Sequence, residues 1–212
     1  MTLHHLTIGE APELNTLLES SIRRWGTLIL VFCLEISGEE SIGYVERLLQ
    51  CACPLLRTIS GEGYAGSRIT LNLHSDCLPS LQTLYLDRIW PIFSTSPTSV
   101  TELTFTCTCL DDLSPLLDAV KDGHLIQRLR INSSPGYYGD NLTAFPAATG
   151  KAVLSSLTHL EIEGMDVKLA SAISQFLSYC DIPKLESLTI WLIRWFARRR
   201  VFENLCQDVV RC

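Results

Sequence analysis

Along the chain, apolar residues return at the first, fourth and sixth places of a six-residue frame. Leu81-Gln82-Thr83-Leu84-Tyr85-Leu86 is the clearest case. Val100, Leu103 and Phe105 repeat it, as do Ile126, Leu129 and Ile131, then Leu157, Leu160 and Ile162, then Leu185, Leu188 and Ile190. Leu3, Leu6 and Ile8 fit the same frame, and so do Trp25, Leu28 and Leu30, with Phe32, Leu34 and Ile36 extending that strand. Leu56 and Ile59 begin it again, but Gly61 stands at the sixth place. Alternation of apolar and polar residues predicts a short strand at each site. Between the strands the period changes to that of a helix. Leu14, Leu17, Leu18 and Ile22 form one stripe behind Pro12, and Ile42, Val45, Leu48 and Leu49 a second, entered through Ser37 to Glu40 and ended by Pro54. Leu116, Leu117 and Val120 follow Ser114-Pro115 and stop at Gly123, and Ala170, Ile173, Phe176 and Leu177 follow Asp166. Ile69, Leu71 and Leu73 alternate strictly enough to predict an extra strand on the outer side.

A strand frame of L-x-x-L-x-L followed by a helical return is the pattern of a leucine-rich repeat, whose units run roughly 20 to 29 residues. The expected fold is an α/β leucine-rich-repeat solenoid, an irregular horseshoe or arc of about eight strand units. It covers residues 1–190, with 191–212 as a basic and aromatic tail forming a capping helix. A doubly wound parallel sheet gives the same βα succession. Against it, the frame recurs at every strand and no glycine-rich phosphate turn follows the first. Because the frame starts at Leu3 with no polar cap before it, the chain is expected to be a fragment or to have lost a preceding domain.

Composition narrows the function. A hydrophobic content of 47% with 19% charged residues belongs to a folded protein, and the net charge of −6 disfavours a binder of nucleic-acid backbones. Met1 to Glu10 has no secretory pattern, and no apolar run approaches the roughly 18 residues of a membrane span. A soluble intracellular protein, cytoplasmic or nuclear, is expected. The nine cysteines show no paired C-x-x-C spacing, so reduced thiols are expected in place of disulfides or zinc.

Several stretches together resemble the leucine-rich-repeat region of the large fungal F-box protein families. They are Leu14 to Trp25 with the strand after it, Cys53-Pro54-Leu55-Leu56-Arg57-Thr58-Ile59, Leu78-Pro79-Ser80-Leu81-Gln82-Thr83-Leu84 and Leu157-Thr158-His159-Leu160-Glu161-Ile162. The resemblance covers most of Ala11 to Ile190. It implies the target-binding part of a receptor in a cullin-type ubiquitin ligase, in which an F-box holds the adaptor. No F-box is recognisable here. The ninth consensus position, Asn or Cys in regular repeats, holds Cys33, Tyr64, Ile89, Thr108, Ser134, Met165 and Ile193, so only Cys33 keeps it. The alternatives are a stand-alone scaffold or inhibitor without a ubiquitin link, or a non-functional fragment.

Stacked strands would line up the residues between the apolar places on a concave face. The partner-binding candidates there are Tyr85, Asp87, Glu102, Arg128, Arg130, His159 and Glu161, aromatic and arginine side chains being the usual carriers of interface energy. The bland reading is a solvated face rich in strand-forming threonine. A second candidate is the loop from Asn132 to Gly150 with Tyr137, Tyr138 and Phe145, against a tolerated insertion. Cys51 with Cys53 and Cys107 with Cys109 have i, i+2 spacing, but repeat stacking separates the pairs, so no metal is expected. Cys109-Leu110-Asp111 resembles the Cys-x-Asp of bacterial ubiquitin ligases, yet its acids disfavour a reactive thiolate. Histidines His4, His5, His74, His124 and His159 assemble no catalytic motif. No catalytic residue or cofactor is assigned, and an enzyme is disfavoured. The tail combines Trp191, Trp195, Phe196 and Phe202 with Arg194, Arg198, Arg199 and Arg200, which suits a capping helix, or a basic amphipathic helix that lies on a membrane surface or docks to a partner.

Overall fold

Four of the frame strands are entered by the same local device. Cys53-Pro54-Leu55-Leu56, Leu78-Pro79-Ser80-Leu81, Leu154-Ser155-Ser156-Leu157 and Ile182-Pro183-Lys184-Leu185 are β-turns in which the last N–H donates to the first carbonyl, at 3.0, 3.2, 3.2 and 3.3 Å. Proline or serine at the second place suits such a turn, since proline already holds the required φ. The computed structural model describes residues 2–8, 16, 20, 31–36, 39–50, 53–63, 69–94, 99–107, 120, 125–133, 152–164, 174 and 176–192. The fold is α/β with mostly parallel strands, and the chain divides into two compact units, Met1–Phe105 and Thr106–Cys212.

In the first unit the main sheet runs β1 (Thr2–Ile8), β2 (Val31–Ile36), β3 (Thr58–Gly63), β5 (Thr83–Asp87) and β7 (Glu102–Cys107), the last straddling the unit boundary. One helix, α1 (Glu39–Gln50), follows β2, and its buried stripe is the expected one: Val45, Leu48 and Leu49 inside, with Ile42 half-buried. A second, two-stranded parallel sheet pairs β4 (Ile69–His74) with β6 (Ile89–Ser94). The extra strand expected at Ile69, Leu71 and Leu73 is β4, with all three side chains buried. Glu46 of α1 accepts the backbone N–H of Asn72 at 3.0 Å and also its side-chain amide, so the helix satisfies an edge donor of β4.

β6 is the element that the periodicity did not announce. Arg88 stands between β5 and β6 with φ of 59°, a left-handed conformation uncommon outside glycine. This turn sends Ile89 and Trp90 into the core, where Trp90 meets Phe105 edge to face at a centroid distance of 4.7 Å. Ile89 therefore opens a strand and does not serve a ninth-position turn. Gly61, which interrupts the apolar frame at its sixth place, has a packing reason. A Cβ there would lie 2.8 Å from Ile89 Cδ1, so the missing side chain is the space that Ile89 fills.

Register corrects the frame in the first two strands. Phe32 lies opposite Ile59 and Leu34 opposite Gly61, so Phe32 and Leu34 take the fourth and sixth places that Leu28 and Leu30 were expected to hold. The strict burial of Phe32, Leu34 and Ile36 decides the matter, because a shift of one residue would turn all three to solvent. In β1, Leu3 faces Phe32 and Leu6 faces Leu34, leaving His4 and His5 opposite the single residue Cys33. This is a bulge, and it moves Leu6 from the fourth place to the sixth.

In the second unit the sheet order is β8 (Arg128–Ser133), β10 (His159–Gly164) and β12 (Ser187–Leu192), all parallel. Here the frame holds without correction: Leu129, Leu160 and Leu188 share one rung and Ile131, Ile162 and Ile190 another. Two-residue strands β9 (Ala152–Val153) and β11 (Cys180–Asp181) pair ahead of them. Phe176 and Leu177 lie in a helical segment and are fully buried, and Val120 is helical and buried. The other residues of the helices expected at Leu14 and Leu116, the loop from Ser134 to Gly150 and the tail after Leu192 lie outside the described residues.

Candidate functional site

With the apolar places turned inward, the sheets carry their chemistry on the opposite side. Burying a leucine contributes about 1.5–3 kcal/mol, which fixes the register and with it every outward neighbour. Successive strands are also joined by one repeated backbone contact. The carbonyl at the second frame place accepts two N–H groups from the next strand's approach: Arg57 from Gln82 and Thr83, Gln82 from Thr101 and Glu102, Gln127 from Thr158 and His159, and Thr158 from Glu186 and Ser187. The distances are 2.9 to 3.1 Å. Thr158 Oγ1 adds a third contact to the Gln127 carbonyl at 3.1 Å. Outward residues of neighbouring strands are thereby held level.

On the first unit, β3 offers Thr58, Ser60 and Glu62, and β5 offers Thr83, Tyr85 and Asp87, paired rung by rung. Tyr85 is 46% exposed, whereas Leu84 and Leu86 on either side of it are buried. Glu35, Glu62 and Asp87 occupy one rung across three strands. Arg88 answers part of that charge, with Nη2 at 2.8 Å from Glu62 Oε1 and Nε at 3.2 Å from Asp87 Oδ1. Burial pushes the Asp87 carboxyl above its ordinary pKa and the Glu62 charge adds to this, while Arg88 pulls it back. Glu102 lies half-buried at the start of β7.

On the second unit, Arg128, His159 and Ser187 share a rung, as do Arg130, Glu161 and Thr189, and then Asn132, Glu163 and Trp191. Arg130 ties two strands together: Nη2 is 2.7 Å from Glu163 Oε2 and 3.7 Å from Glu161 Oε1, and Nε donates to Asn132 Oδ1 at 3.1 Å. The Glu163 hydrogen bond first, and then the charges of Glu161 and Glu163, hold the guanidinium above its ordinary pKa against an opposing effect of burial. His159 Nδ1 lies 2.8 Å from Thr158 Oγ1. Arg128, Arg130 and His159 are exposed.

The candidates thus fall into two groups: Tyr85 and Asp87 two residues apart on β5 of one unit, and on the other the level pairs Arg128 with His159 and Arg130 with Glu161. Trp191 was assigned to the tail, yet β12 runs to Leu192 and carries Trp191 outward beside Glu163, 57% exposed. The signal was present, since Trp191 follows Ile190 in the place that Asp87 takes after Leu86. Tyr137, Tyr138 and Phe145 lie outside the described residues. Among the described residues no three His, Cys, Asp or Glu side chains come together as a metal site, and no helix is long and apolar enough to cross a membrane. Among the described residues, Cys33, Cys53, Cys77 and Cys180 take part in no disulfide. Compared with protein-family models, curated proteins and solved structures, the chain matches none.

Proposed function

We propose that the chain is a leucine-rich-repeat solenoid that binds a protein partner on the outward side of its sheets, as the target-binding part of an F-box-like ubiquitin-ligase receptor. The observation that carries the binding reading is the level array of Arg128, Arg130, His159, Glu161, Glu163 and Trp191 on three parallel strands. The hydrogen-bonded sheet fixes the backbone positions from which these side chains project, so their spacing is set before a partner arrives. The exposed Trp191 supplies an anchor of the residue type most enriched at interface hot spots. The repeated turn and the repeated double hydrogen bond support a repeat architecture. The receptor role rests on the order of the F-box-like stretches.

Affinity purification of the tagged full chain from its native cells, with mass spectrometry, tests the receptor role. A ubiquitin-ligase adaptor and a cullin among the co-purifying proteins support it. A reproducible partner without either supports the stand-alone scaffold and removes the ligase assignment.

A further inference from the structure

The register that buries the frame of the first unit also sets the chemistry of its outward side. Thr58, Ser60 and Glu62 of β3 stand level with Thr83, Tyr85 and Asp87 of β5, and none of the six is cationic. Tyr85 is the exposed residue of β5, at 46%, with Ser60 opposite it and Asp87 two places on. Glu62 lies opposite Asp87 and so diagonally from Tyr85. Neighbouring strands are about 4.8 Å apart and alternate residues about 6.6 Å, which puts both carboxylate places within one side chain's reach of the ring. Glu35 continues the same rung on β2. Arg88 pairs with Glu62 at 2.8 Å and with Asp87 at 3.2 Å, but its own side chain is only 20% exposed, whereas that of Glu62 is 64% exposed. One largely covered guanidinium therefore answers three carboxylates, and the rung keeps a formal negative excess of two.

We propose that this face of β3 and β5 docks a lysine- or arginine-rich segment of a partner protein, with one cationic side chain over the Tyr85 ring and others facing the carboxylate rung. Charge complementarity carries the choice of occupant. A cation is attracted to an aromatic face within about 6 Å of its centroid, and carboxylates beside the ring add to the attraction. The protein itself uses this geometry at Tyr44, whose ring centroid lies 5.7 Å from Arg47 Cζ. An anionic segment would be repelled by the rung, and an apolar one would strip water from the exposed Glu62 without replacing its hydrogen bonds. Such docking rests on the reading of the outward side of the sheets as a protein-binding surface. It needs neither the ligase role nor the array on β8, β10 and β12.

An NMR titration of the isotope-labelled full chain with a hexa-arginine peptide tests this, with hexa-glutamate as the control. The expected result is amide shifts concentrated in β3 and β5, an affinity that falls as salt rises, and no shifts with hexa-glutamate. Tyr85→Ala, which leaves every charge in place, should weaken binding about two- to fivefold, and Tyr85→Phe should keep the native affinity because the ring remains. Glu62→Gln, at an exposed place, should weaken it as well, and decides the matter if Tyr85→Ala fails to fold. No binding, or shifts centred outside β3 and β5, overturns the proposal. So does an affinity that a folded Tyr85→Ala leaves unchanged or that Tyr85→Phe lowers equally. Shifts of these amides that grow with protein concentration in the absence of peptide make a second copy the occupant and overturn it too. Any of these failures leaves the face of β8, β10 and β12 to be judged by its own variants at Arg128 and Arg130.

Discussion

Ile89 Cδ1 occupies the space beneath Gly61, 2.8 Å from where a β-carbon would stand. The two residues come from different sheets, so the glycine in β3 is the socket into which β6 plugs. Gly61→Ala should cost about 1 kcal/mol or more through overpacking. Ile89→Val deletes the offending methyl and should itself cost about 0.5–1.5 kcal/mol. In the Ile89→Val background Gly61→Ala becomes neutral or stabilising. Urea unfolding of the four proteins measures the coupling, and additive losses would contradict the socket.

Asp87 gives the fold a pH-dependent liability. Its pKa is raised on folding, chiefly by burial, so the folded state binds the proton more tightly than the unfolded state does. The stabilising contribution of that proton is complete below the unfolded pKa and is lost as pH rises through the folded value. Asp87→Asn removes the titration, so its stability relative to the native chain should be more favourable at neutral pH than in acid. Urea midpoints at both pH values check the sign. A relative stability that moves the other way would place the ion pair with Arg88 above burial.

Leu84 and Tyr85 are adjacent residues with opposite duties. Leu84→Ala should cost about 2–5 kcal/mol as a fully buried frame residue. Tyr85→Ala, outward and half exposed, should stay within about 1 kcal/mol of the native chain. Thermal and urea unfolding separate the two. Equal losses would mean that the outward face is part of the core.

How legible the fold was in the sequence depended on how much each side chain had to bury. Leu84, Leu129 and Leu160 could be placed because a buried leucine admits one register. The same force placed α1 through Val45 and Leu48, and β4 through Ile69, Leu71 and Leu73. The frame misled where the pattern was ambiguous. Leu28 and Leu30 fit the template as well as Phe32 and Leu34, and only pairing with Ile59 and Gly61 separates them. β6 escaped because Ile89, Trp90 and Pro91 are buried in succession, which leaves no alternation to detect. On the candidate face, Arg130 was visible as a residue, but its ties to Glu161 and Glu163 belong to neighbouring strands and required the register. Trp191 was hidden by the aromatic and basic residues that follow it.

The proposed partner binding falls above all on the outward face of β8, β10 and β12. Its most direct test is the dissociation constant of the partner recovered by affinity purification, measured for the native chain and for the double variant Arg128→Glu with Arg130→Glu. Charge reversal sets a new carboxylate at position 130 against Glu161 and Glu163 in an exposed setting, so the melting temperature should move little. The predicted result is affinity weakened by about tenfold or more with the fold retained. An unchanged dissociation constant in a folded variant would contradict the assignment of this face.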